Sequence, residues 1–517
     1  MAVGTGLSRL SGFARVVAIG WVLGQHALSD AYNQANTIPN TIYDLLLGGV
    51  LSATLLPVLM QSLNRPRDAE DEDAVPAVVS FLTVALVVAT VLFWLLAPYI
   101  VDFFLALANG TRGSQERALA TTWLRLFTPQ LLFIGLTTVA NALLNARRRF
   151  MAASFSPVLA NVVTIAALVL ADRMVKAHSL QAYSQDRAAV VVLGVGTTAG
   201  YLVQLLAQVP SLVKARVPVR PVWKPHHPAL VAIGRLSGWT VGAVLANQAS
   251  LALVSVLANR HSGSYSSFTY AYYFMLLPYS VIAVSIAFAV APELAERWSL
   301  GDRDGFALRA TRALRQTVAL VVPAGVGLAV IGQPVMVLAM AHGNLPTSAA
   351  RSTGVLLSIF ALGLPGLSSY LLLMRAFQSQ QDTRSMFGLY LVENAMTVVA
   401  ALVLYPPLGV VGLTIAWIAP YSLCLPLVWQ RLRRSADLVV PPLWWRKVGV
   451  ATVSMALVEV VMDHFVPAPA SFLGGVVKLA VVVAAAGPTY LLMARRLNLT
   501  ELDRLLPGRF PRRAGAR

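Results

Sequence analysis

Two arginines, Arg9 and Arg15, interrupt the apolar stretch "GLSRLSGFARVVAIGWVLG" at residues 6–24. A guanidinium presents a planar fork of N–H donors that fits carboxylate or phosphate oxygens two at a time, so the chemistry on offer is anion binding. On a helix starting near residue 5, Arg9 lies about 6 Å in and can snorkel to the interface; Arg15 lies about 15 Å in. That is near the middle of a bilayer, where an exposed cation costs at least about 2.5 kcal/mol, so Arg15 needs a wet cavity or a partner. Six residues turn a helix by about 240°, so both arginines serve one site only if it is broad. Arg125 and Arg235 are further cations in apolar segments, each readable as interfacial or as part of such a site, and Lys478 is expected to pair with Glu459 or Asp463. A second group, Glu393, Asn394 and Thr397 in "FGLYLVENAMTVVA", is rich in oxygen; it can bind Na+ or a proton, or hydrogen-bond between helices, with Asn247 and Gln248 as partners. Paired catalytic carboxylates, a Ser-His-Asp set, metal-spaced histidines and a phosphate loop are all missing from the polar segments, which argues against an enzyme. "LGVGTTAG" at 193–200 has no strand before it and reads as small residues for close helix packing.

The elements that must hold these residues are membrane helices. The chain has 517 residues, 57% hydrophobic and only 12% charged, where soluble domains average about 25% charged. That identifies an all-α polytopic membrane protein. Windows of about 20 apolar residues place fourteen helices near 5–25, 35–62, 76–100, 119–145, 154–172, 189–213, 229–258, 266–295, 317–341, 352–374, 385–405, 409–430, 445–465 and 472–494. Arg9 and Arg15 break what would be a signal-peptide core, so the first helix is expected to stay. One cysteine, Cys424, excludes a disulfide framework within the chain.

Alternate loops differ sharply in charge. With the N-terminus inside, cytoplasmic segments carry 28 of the 40 Lys and Arg residues, and the opposite loops carry seven. Both termini are therefore expected in the cytoplasm, and the net charge of +18 reports topology rather than nucleic-acid binding. The acidic run "DAEDED" at 68–73 reads as a solvated loop.

The sequence also repeats itself. "RLSGF" at 9–13 returns as "RLSGW" at 235–239; Pro57 and Pro292, Pro129 and Pro365, and Asn161 and Asn394 recur at nearly the same offset. Six helices separate the copies, so the repeat is parallel: two six-helix lobes about an axis along the membrane normal, plus two extra C-terminal helices. The expected parts are an N-lobe at 1–213, a basic cytoplasmic linker at 214–228, a C-lobe at 229–431, helices 13–14 at 432–494 and a basic cytoplasmic tail at 495–517. Intramembrane prolines remove backbone donors and allow bends; Pro39, Pro57, Pro278 and Pro292 are the candidate hinges.

The first sixty residues carry a recognisable motif, "SRLSGFARVVAIGWVLG" followed by "LSDAYNQANTIPNTIYDLLLGGVLSATLLPVL". It resembles the N-terminal signature of the MurJ (MviN) lipid II flippases of the MOP exporter superfamily, and "AYNQANTIPNTIYDLLLGGVL" is most similar to actinobacterial members. The resemblance implies two six-helix lobes around a basic cavity, with helices 13 and 14 forming a groove for a polyprenyl tail. It implies export of the diphosphate-linked wall precursor lipid II from the cytoplasmic to the outer leaflet of the bacterial cytoplasmic membrane by alternating access. The expected partners are lipid II, membrane lipids and cell-wall synthesis proteins. No cofactor is implied beyond Na+ or H+ coupling and the membrane potential. Arg9 and Arg15 match the family's helix-1 arginines, and Asp30 of "SDAY" matches its helix-2 acid. Where many members have "PNLLRR", this chain has "PNTIYD", placing Tyr43 and Asp44 there. Where helix 8 carries an arginine and a glutamate before "FP", "YAYYFMLLP" places Tyr273 and Leu276. The implied anion site rests on helix 1 with Arg125 or Arg235. The alternatives are another MOP-type exporter, of O-antigen lipid or of drugs, or a non-transporting scaffold for wall synthesis acting through its basic loops and the tail "RFPRRAGAR".

Overall fold

A computed structural model describes residues 2–43, 74–107, 110–147, 149–175, 179–215, 220–225, 227–467 and 471–502. Every regular element among these residues is helical. In chain order they are α1 (Ala2–Leu23), α2 (Ala27–Tyr43), α3 (Ala74–Phe104), α4 (Gly110–Phe127), α5 (Pro129–Ala146), α6 (Phe150–Met174), α7 (Leu180–Gln185), α8 (Arg187–Leu206) and α9 (Val209–Lys214). Then follow α10 (Pro228–Ala258), α11 (Ser264–Pro278), α12 (Ser285–Ser299), α13 (Arg303–Met340), α14 (Thr347–Ser379), α15 (Thr383–Arg433), α16 (Pro442–Phe465) and α17 (Phe472–Arg496).

Twelve helical stretches among the described residues are long and apolar enough to cross a membrane. The difference from fourteen has two sources. The second expected helix runs past Tyr43 into 44–73, outside the described residues together with Asp44 and Pro57. The eleventh and twelfth are two helices within the 51-residue stretch α15, divided by a non-helical kink at Gly409 (φ 57°, ψ −134°). A straight helix of that length would reach about 76 Å, more than twice the roughly 30 Å hydrocarbon core, so the kink separates two membrane-length helices. The outward faces are apolar, as a lipid solvent demands: α3 exposes Val88, Val91, Trp94 and Leu95.

The chain divides into two compact units. The first comprises Met1–Phe274, Ala339–Leu356 and Thr383–Trp417. Within it the first helix of each sequence repeat lies on the fifth: Asn161 of α6 donates to Ser11 of α1 (2.9 Å), and Ser250 of α10 donates to the Asn394 carbonyl of α15 (3.3 Å). The stretch 193–200 packs as its composition predicts. A Cβ on Gly200 would stand 2.7 Å from the Ala160 carbonyl oxygen of α6, and Gly196 faces Ala167.

The second unit comprises Met275–Leu338, Leu357–Asp382 and Ile418–Arg517. Directly after Pro278 the helix widens into a π turn, Tyr279–Val284, an irregularity of the kind that marks functional bends. Pro292, by contrast, sits inside the continuous α12. Lys478 of α17 pairs with Asp463 of α16 at 3.0 Å. The other expected partner, Glu459, is buried against Gly327 of α13 instead. Since α17 follows α16 after a short connection, its early residues meet the end of α16, and Asp463 lies one turn nearer that end than Glu459.

Candidate functional site

Arg15 is positioned by small residues. Ser11 and Gly12, one turn earlier on α1, meet Asn161 of α6, which turns the Arg15 face of α1 toward α6 and α8. Gly200 lets α8 lie close on α6, and the next residue, Tyr201, reaches the guanidinium. Three phenols bear on the cation electrostatically: Tyr201, Tyr273 and Tyr32. Tyr32 is completely buried. Its ring stands edge-on to Trp123 (5.6 Å) and Phe127 (5.5 Å), and its hydroxyl lies 3.0 Å from Thr197. Because Thr197 already donates to the Leu193 carbonyl (2.7 Å), Tyr32 is the donor to Thr197, leaving phenolic lone pairs free toward a cation. Tyr273 keeps 39% of its surface exposed, so one wall of this cage is open. Among the described residues no carboxylate pairs with Arg15, and its Nε is buried without a hydrogen-bond partner. A cation held by neutral phenols keeps its full charge for an incoming anion.

The other expected site residues are distributed differently. Arg9 is exposed on α1. Arg125 stands 5.2 Å over the ring of Trp94, on the α3 side of α4, and so belongs to a cation–π contact rather than to the Arg15 cage. Arg235 lies in α10, in a stretch whose side chains are outside the described set. Tyr43 donates to Thr138 of α5 (2.8 Å). Pro39 is buried within α2 without ending that helix.

Asp30 is not with Arg15 either. Helix α2 begins at Ala27, eight residues before the hydropathy boundary, because Ser29, Asp30, Asn33 and Gln34 are buried among polar partners instead of facing lipid. The Asp30 carboxylate accepts the backbone N–H groups of Gly263 (2.6 Å) and Ser266 (2.8 Å), capping the start of α11 from another helix. Asn33 donates to Ser266 (3.0 Å), and Asn259 donates to Gln34 (2.8 Å).

The oxygen-rich group on α15 forms as expected but is closed on itself. Glu393, 2% exposed, accepts from the Asn394 amide (2.9 Å) and the Thr397 hydroxyl (3.2 Å). The contact from α10 comes from Ser250; Gln248 turns instead to the Thr41 carbonyl (3.0 Å). Carboxylate, hydroxyl and amide oxygens suit Na+, and here each Glu393 oxygen already accepts one hydrogen bond from its own helix. No group of three His, Cys, Asp or Glu that could hold a metal ion occurs among the described residues.

Tyr201 and Tyr32 were not legible as site residues. Tyr201 follows the small-residue run by one position and Tyr32 follows Asp30 by two, and only their common approach to Arg15 from helices far apart in the sequence joins them. Their signal was a tyrosine in a membrane helix at the depth of an arginine.

A protein from Burkholderia cenocepacia described as lipid II flippase MurJ is 27% identical over 465 residues, covering 89% of this chain and 87% of its own. A Vibrio cholerae protein described as a probable lipid II flippase MurJ is 27% identical, covering 82% of this chain and 80% of its own. Among solved structures, an inward-closed lipid II flippase MurJ superposes with a TM-score of 0.77 at 19% identity, over 96% of this chain and 99% of that one. An inward-facing multidrug-resistance MATE transporter of the MOP superfamily gives 0.65 at 17%, over 82% and 94%. The family model described as "Lipid II flippase MurJ" matches residues 19–480, and on that match this multi-pass membrane chain belongs to the MurJ family.

Proposed function

We propose that this chain carries lipid II, the polyprenyl diphosphate-linked peptidoglycan precursor, from the cytoplasmic to the outer leaflet of the cytoplasmic membrane by alternating access, acting as a transporter and not as an enzyme. The observation that carries the reading is Arg15: a cation deep in a membrane helix, with phenols about it and, among the described residues, no carboxylate paired with it. A diphosphate supplies the missing charge and lone pairs, with bidentate geometry that a guanidinium fits. The tyrosine hydroxyls add neutral donors around it. Arg9, six residues nearer the N-terminus, is the natural first contact as the anion enters.

In this reading both termini are cytoplasmic, the two repeats form the rocking lobes, helices 13–14 take the lipid tail, and wall-synthesis proteins are the expected protein partners. No step is routed through a bound cation at Glu393. With the cytoplasm negative, expelling an anionic headgroup is favoured by about 2.3 kcal/mol per charge per 100 mV, so the membrane potential drives export. The test is transbilayer movement of labelled lipid II in reconstituted vesicles, wild type against Arg15→Ala at matched incorporation. Flipping by the wild type and its loss in the variant support the proposal. A wild type that does not flip points to a different lipid-linked substrate or to a scaffold.

A further inference from the structure

The last turn of α1 is held by an element with no part in the Asp30 cap. A helix ends with carbonyl groups that have no partner within it. At the end of α1 they are satisfied from the turn between α13 and α14: the Asn344 backbone N–H donates to the Trp21 carbonyl (2.8 Å), and its side-chain amide donates to the Val22 carbonyl (2.9 Å). The exchange is reciprocal, because the Trp21 indole N–H donates to the Ala339 carbonyl at the end of α13 (2.8 Å). The His342 ring stands edge-on to Trp21 at 5.5 Å.

Two glycines make the fit. Gly24 (φ +69°) and Gly343 (φ +61°) both have left-handed backbones, and each lies against the other turn. A Cβ on Gly24 would stand 2.8 Å from the Asn344 carbonyl oxygen; one on Gly343 would overlap the Trp21 carbonyl oxygen. Two helix C-termini thus cap each other through backbone surfaces that only glycine allows to meet.

Arg15 lies eight residues before the end of α1, about 12 Å along the same rigid helix. Whatever holds that end sets where the guanidinium sits. We propose that the turn His342–Asn344 is a positioning clasp for the transport step: it pins the end of α1 in the state seen here and must release for α1, and Arg15 with it, to swing. This rests on the transport reading above and adds to it a second fastening, on the α13–α14 turn, for the helix that carries the anion site. Lys and Arg asymmetry puts this end of α1 on the side away from the cytoplasm.

The test uses the full chain in proteoliposomes with Cys424→Ser and a single reporter, Ala27→Cys, which replaces a side chain only 6% exposed beside the clasp. Membrane-impermeant maleimide is applied to one face at a time. Asn344→Ala removes one donor and is expected to raise labelling from the outer face roughly threefold to tenfold, the population shift that one buried hydrogen bond produces. Gly343→Ala is expected to raise it further. Asn344→Ala keeps the test sound if the glycine variant fails to fold. Labelling that stays at the parent level in the folded variants overturns the proposal, as does labelling that rises only from the cytoplasmic face. Because this readout needs no substrate, it stands or falls separately from the effect of Arg15→Ala on flipping.

Discussion

Arg15 and Asp30 are both charged residues that a membrane helix should avoid, fifteen positions apart, and they are treated in opposite ways. Asp30 is fully buried, and both its oxygens accept backbone N–H groups that a helix start leaves unpaired. Arg15 keeps a buried Nε without a partner, and among the described residues the titratable groups that bear on it are phenols. A charge whose hydrogen bonds are all met within the protein has been assigned to holding the fold, whereas one left unmatched is available to a ligand. Residue type does not distinguish the two environments, whereas the hydrogen bonds each charge makes within the protein do.

The largest effect expected from this contrast is on transport. Arg15→Ala should lower lipid II flipping at least about 10-fold, the loss expected for a charge-assisted pair, while leaving the melting temperature in detergent unchanged or raised. Arg15→Lys should fall between, because a lysine keeps the charge but not the fork. Asp30→Ala should do the reverse in stability, destabilising by about 3 kcal/mol, since two buried backbone N–H groups lose a charged acceptor; Asp30→Asn, which keeps one acceptor oxygen, should cost less by thermal denaturation.

How much of this was legible beforehand divides along the same line. The membrane class, the repeat and Arg15 itself could be read from the residues, because an arginine among valines has no bland place in hydrocarbon. Asn161, a repeat landmark in the sequence, turns out to join α6 to α1 through Ser11. The start of α2 was misplaced at 35 because hydropathy treats Ser29, Asp30 and Asn33 as solvent-facing, although they are buried against partners from distant helices. Arg125 was readable either as interfacial or as a site cation, and its contact with Trp94 on the neighbouring helix was not legible because sequence spacing does not show it.

A subtler break in the comparison comes from the scaffold behind Arg15. Gly200→Ala places a methyl against the Ala160 carbonyl, which should cost about 1–3 kcal/mol and lower flipping by displacing Tyr201, measurable as a joint shift in melting and transport rate. Tyr32→Phe removes the bond to Thr197 and should cost about 1 kcal/mol in thermal stability. Arg125→Ala should leave transport and the affinity for anions unchanged, with less than about 1 kcal/mol lost from its ring contact.

An anion held at Arg15 and not at Asp30 should bind weakly only when the arginine is lost. The most direct measurement is equilibrium binding of a short-chain polyprenyl diphosphate to the purified protein, comparing wild type, Arg15→Gln and Asp30→Asn by microcalorimetry at fixed salt. Arg15→Gln should weaken binding at least about 10-fold, and Asp30→Asn should bind within about twofold of wild type. Equal binding by wild type and Arg15→Gln, or a loss confined to Asp30→Asn, would contradict it.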